Sequence, residues 1–118
     1  MTFDNSSYES WLSSGKMTHE LAGFLFNNFD DFMETSLSRV ETLVDKGKHD
    51  SAFIEMIAII SFFNAGVSKQ PSIIGKLKNW VNKLQSVTKK LAKSLKADTY
   101  TVSVGLPVGV SIGLSFPV

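Results

Sequence analysis

From Thr99 to Val118 the chain reads TYTVSVGLPVGVSIGLSFPV, with every even position apolar and every odd position Thr, Ser, Gly or Pro. Strand side chains alternate between faces, so this unbroken period of two predicts β-structure with one greasy and one neutral side. A single strand of that length is improbable, and Pro107 and Gly109 mark the break. A three-residue loop keeps the two strands' apolar residues on one face, whereas a two-residue loop would reverse one strand. The expected turn places Pro107 where φ near −65° is wanted and Gly109 in the left-handed position. The predicted pairs are Leu106 with Val110, Val104 with Ile112, Val102 with Leu114, and Tyr100 with Phe116.

The rest of the chain has helical periodicity. Ser6-x-x-Glu9 fits a capping box, followed by Tyr8, Trp11 and Leu12, and Gly15 ends this short helix. Trp11 is expected to pack on the next helix. Thr18 is the expected N-cap of a long second helix, in which apolar residues from Leu21 to Val44 recur at steps of three and four, and Gly47 closes it. Its phenylalanines are read as core. Asp30, Asp31, Glu34, Glu41 and Asp45 lie on its other side. Asp50 or Ser51 is the expected cap of a third helix ending at Gly66. Ala52 to Phe63 is apolar nearly all round, which marks the buried centre of a bundle. This run is shorter than a membrane span, so no spanning helix is expected. Glu55 near its start is expected at the surface, favoured by the helix dipole. Pro71 and Ser72 open a fourth helix running to about Lys96. Its apolar stripe is Ile73, Leu77, Trp80, Val81, Leu84, Val87, Leu91 and Leu95, and its opposite side is lined with lysines.

These elements predict an α+β fold: a mainly helical bundle of three long helices plus a short N-terminal one, with a C-terminal antiparallel β-hairpin. Residues 6–97 form the bundle and 99–118 the hairpin, all within one domain spanning 1–118. An isolated hairpin is marginal in water, so helices must cover its apolar side. Each such side chain contributes roughly 1.5–3 kcal/mol when buried. The outer face, Thr99, Thr101, Ser103, Ser111 and Ser115 with Gly105 and Gly113, stays small and neutral. No Lys or Glu guards either edge, which invites pairing with another chain.

Charge changes the picture more than composition does. The net charge of +1 hides an asymmetry. Residues 1–55 hold ten acids and four bases, and residues 56–97 hold eight lysines and no acid. Lys76, Lys83, Lys89, Lys90 and Lys93 define a basic helix face, a pattern that can meet an anionic membrane or nucleic acid. Lysine without arginine reads bases poorly, so nucleic acid is the weaker of the two. The plainer alternative is charge complementarity, with acidic and basic stripes meeting at bundle edges or between molecules.

Candidate chemistry is sparse. The chain has no cysteine, which excludes disulfides and thiolate metal sites. No HExxH, Walker-type, GxSxG or GxGxxG sequence occurs. His19 and His49 each precede an acid, but sequence neighbours on a helix do not face each other, and His49-Asp50 reads as a helix start. The N-terminus lacks a signal-peptide pattern, so Asn5-Ser6-Ser7 is not read as a glycosylation site and the expected location is cytoplasmic. No cofactor, metal or catalytic residue is expected. The sequence reads as a non-enzymatic interaction module that self-associates through its hairpin, as a homo-oligomer or with a protein partner. The alternative is a membrane-active protein, or one that binds nucleic acid through the Lys helix.

Overall fold

The computed structural model describes Ser10, Leu12 and residues 16–117. The fold is α+β. Helices α1 (His19–Asn27), α2 (Phe29–Asp45), α3 (His49–Lys69), α4 (Ile73–Lys78) and α5 (Val81–Ser94) precede strands β1 (Thr99–Gly105) and β2 (Gly109–Ser115). The strands pair antiparallel in a two-stranded sheet. The expected capping box at Ser6 and Glu9, with Trp11 and Gly15, lies outside the described residues, while Ser10 and Leu12 are helical.

The two long helices expected around the central one are each broken in two. Thr18 caps α1 as expected, its Oγ1 accepting from the Leu21 N–H at 3.0 Å. The helix then stops at Asn28, which satisfies the Phe24 carbonyl with both its backbone N–H and its side-chain Nδ2, each at 3.0 Å. An asparagine can thus end one helix and begin the next without glycine or proline, which apolar spacing alone does not reveal. The second break falls at Asn79 and Trp80. The Trp80 N–H bonds the Leu77 carbonyl at 2.9 Å, a tight i to i−3 turn. The reoriented Trp80 indole Nε1 donates to Asp30 Oδ1 at 2.8 Å.

Helix α3 is longer than predicted at both ends. Lys48 is its N-cap residue, with no side-chain capping bond, so Asp50 and Ser51 lie inside the helix. It also runs through Gly66 to Lys69. Gly66 marks a close approach: a β-carbon there would sit 2.7 Å from Leu25 Cδ2 and 3.2 Å from Ile73 Cδ1. At 21 residues α3 is long and apolar enough to cross a membrane by length and composition, contrary to the expectation that no helix would be. Its inward side is spent on the bundle, where Ala52, Met56, Ile59, Phe63 and Val67 are buried. Phe29 and Phe32 are core as expected, with Phe29 against Phe63 (centroids 5.2 Å apart) and Phe32 stacked on Phe62 (5.8 Å), while Phe24 and Phe26 are partly buried.

After α5 the chain reverses at Lys96 (φ 62°), with the Ala97 N–H bonding the Ala92 carbonyl at 2.9 Å. Asp98 then donates to the Ser115 carbonyl at 2.7 Å and pairing begins. The loop has three residues as expected, but they are Leu106, Pro107 and Val108, so the register is two residues away from the predicted one. Val104 pairs with Val110, Val102 with Ile112, and Tyr100 with Leu114. A shift of two leaves every side chain on its expected face, so alternation cannot detect it. Gly109 keeps the expected positive φ (104°), but as the first residue of β2, paired with Gly105. Leu106 and Val108 are consequently exposed at the tip.

Gly66→Ala tests how tightly α1 and α4 approach α3. Because Leu25 and Ile73 are fully buried and cannot swing aside, the added methyl should destabilise the protein by about 1–3 kcal/mol in urea unfolding. A neutral or stabilising effect would contradict the close approach.

Candidate interaction surface

Helix α3 carries one polar side chain aimed at the hairpin. Asn64 Oδ1 accepts from the Val110 N–H at 2.7 Å, and Asn64 Nδ2 donates to the Val110 carbonyl at 2.8 Å. The amide thereby fills the place that a residue of a third strand would take beside β2. It packs so close that a β-carbon on Gly109 would overlap Asn64 Oδ1. Val110 itself is buried, and Val102, Val104 and Ile112 pack against the same core. The middle of the hairpin's apolar face is therefore covered by helices, with α5 beside β1 and α3 beside β2, whereas Tyr100 and Phe116, expected on the covered face, are exposed at its open end.

The other face is open. Thr99, Thr101, Ser103, Ser111 and Ser115 are all exposed, as a neutral hydroxyl surface. The backbone of the edges is set by the same clamp. In an antiparallel ladder alternate residues turn their N–H and C=O away from the partner strand. Val110 does so toward Asn64, and its ladder partner Val104 therefore points outward from β1, together with Val102 and Tyr100. Among the described residues no hydrogen bond reaches those β1 groups. β1 is also the more exposed strand, whereas β2 begins with two buried residues.

The basic face is partly spent inside the molecule. Glu41 on α2 takes Lys90 Nζ at 2.7 Å and Lys83 Nζ at 3.0 Å. The acidic and basic stripes thus meet at the α2–α5 edge of the bundle. The Lys90 hydrogen bond holds the Glu41 carboxyl below its ordinary value, with Lys83 adding to the effect and partial burial opposing it. Lys90 is raised in turn by its hydrogen bond to Glu41. Lys76 Nζ lies 4.9 Å from the centroid of the Phe26 ring. Lys89 and Lys93 are exposed and, among the described residues, pair with no carboxylate. Glu55, expected at the surface, is instead mostly covered (side chain 18% exposed) and accepts from Arg39 Nε at 2.7 Å. The short reach from α2 to α3 supplies a counter-charge that helix position alone did not suggest.

Sequence reasoning missed Asn64 and the Trp80–Asp30 bond. The available signal for Asn64 was a lone amide directly after Phe62 and Phe63 on an apolar helix, where a buried polar group needs a partner. His19 and His49 are both exposed, and no group of three or more His, Asp or Glu placed to hold a metal occurs among the described residues. Comparison with family models, curated proteins and solved structures finds no match to this chain.

Two substitutions check these contacts. Asn64→Asp replaces the Nδ2 donor with an oxygen facing the Val110 carbonyl, and should cost about 1–3 kcal/mol in urea unfolding. A loss below about 0.5 kcal/mol, typical of a bystander surface site, would contradict the clamp. Glu41→Gln should cost at most about 1 kcal/mol at neutral pH, because its lysine partners are solvated. A carboxyl depressed on folding stabilises above its unfolded value, near 4.5, and loses that contribution as pH falls through the lower folded value. The two proteins should therefore converge in stability in acid, and a gap that persists there would contradict the assignment.

Proposed function

We propose that this chain is a non-enzymatic assembly module that self-associates through its C-terminal hairpin. The observation that carries this reading is a strand, β1, whose outward backbone groups lack partners and whose exposed side chains are neutral and small. An uncharged, unguarded edge favours strand addition, and backbone hydrogen bonds supply the affinity in that mode of recognition. The Lys helix offers less to phosphates than its sequence suggests, because Glu41 engages Lys83 and Lys90. That weighs against nucleic acid as the partner.

A second reading has one observation in its favour. Phe53, Ile54 and Ile57 are exposed on the outer side of α3, a helix whose length and composition suit a membrane. In that reading these residues enter the interface of an anionic bilayer while Lys89 and Lys93 meet its headgroups.

Sedimentation velocity of the full chain over a concentration series separates the two. Self-association predicts a mass that rises with concentration in the absence of lipid. A chain that stays monomeric at the highest concentration, yet co-sediments with anionic vesicles at low salt, would replace the first reading with the second.

A further inference from the structure

The geometry points to a particular dimer: two copies joined by their β1 strands, antiparallel, with a two-fold axis at Val102, making a continuous sheet in the order β2–β1–β1–β2. This rests on the self-association reading above and names its partner, its edge and its register.

The choice of edge follows from Asn64. On β2 the outward groups of Val110 are already taken by the Asn64 amide of α3. A new strand running along the whole of β2 would have to displace the clamp; short of that, β2 offers only the outward groups of Ile112 and Leu114. On β1 the outward groups belong to Tyr100, Val102 and Val104, and among the described residues none has a partner.

The register follows from counting those groups. With the axis at Val102, Val102 meets its own copy and Tyr100 meets Val104 of the second copy, so every outward residue of β1 finds a partner on both chains. An axis displaced toward Tyr100 sets Val104 against the start of the opposing strand, where Asp98 lies. An axis displaced toward Val104 sets Leu106 of the second copy's loop, where that chain has left the strand, against Tyr100 or Val102.

A second copy also suits the edge chemically. Residues 99–118 contain no charged side chain, so the paired strands themselves oppose no like charges. Asp98 would fall opposite Leu106 of the second copy, clear of its own equivalent. Antiparallel pairing about an axis perpendicular to the sheet keeps the two helical bundles on one side and merges the two hydroxyl faces on the other. The contact is self-complementary and closes at two chains, as a two-fold interface must.

The absence of cysteine makes a clean test possible. In the proposed register Thr101 faces Ser103 of the second copy as a non-hydrogen-bonded pair. Such pairs have Cα atoms about 4.5 Å apart, within disulfide reach. Thr101 faces its own copy only diagonally, with separations of about 7–8 Å, too far for a bond. Full-length Thr101→Cys and Ser103→Cys proteins, one carrying a size tag, are mixed and mildly oxidised. Both changes fall on exposed side chains. The expected result is a disulfide heterodimer severalfold more abundant than either homodimer. If the unmodified chain self-associates but the heterodimer shows no excess, the β1 edge or its register is wrong while the assembly reading stands. If the unmodified chain remains monomeric at every concentration, both fail.

Discussion

Two hydrogen bonds from one side-chain amide decide how the hairpin sits. Asn64 offers an acceptor and a donor at the spacing of a peptide group, and Val110 answers with its N–H and C=O. Without that contact, two buried polar groups on a helix-covered strand would lie against an apolar bundle, at a cost of about 1–3 kcal/mol for a buried group left unpaired. With it, Val110 seats in the core and Gly109 fits beneath the amide. The outward positions of both strands then follow from the ladder's alternation. This single contact caps one of β2's three outward residues, Val110, and none of β1's.

The helices are arranged to support it. Gly66, two residues beyond Asn64 toward the C-terminus, lets α1 and α4 approach α3 closely. The break at Trp80 directs α5 alongside β1, and the reversal at Lys96 starts the hairpin beside the end of α5. Across the bundle, Glu41 joins α2 to α5 through two lysines. These surface ion pairs contribute modestly to stability, but they consume much of a basic face that looks free in one dimension.

The sequence makes sides legible and distances illegible. Alternation from Tyr100 to Phe116 assigned each hairpin residue to its face, because a period of two is strict along a strand. It could not choose between registers two residues apart, since both present the same faces. Thr18 as a cap and Gly47 as a stop were readable from local chemistry. Asn28 and Trp80 were not readable as breaks, because each resolves its backbone bonds through a contact that apolar spacing does not encode. Gly66 misled in the opposite sense: a glycine that resembles a helix end serves as a gap for Leu25. For the candidate surface, the neutral hydroxyl face was visible from Thr101 and Ser103 alone, whereas which edge stays open required the clamp.

Asn64 caps β2 at Val110, whereas none of the outward residues of β1 is capped. Residue-resolved amide hydrogen exchange at low and high protein concentration tests this difference most directly. The Val110 N–H should be protected at both concentrations, while the Tyr100, Val102 and Val104 amides should exchange quickly when dilute and slow down on assembly. A Val110 amide that exchanges as fast as Ile112, or β1 amides already protected in the dilute monomer, would contradict the account.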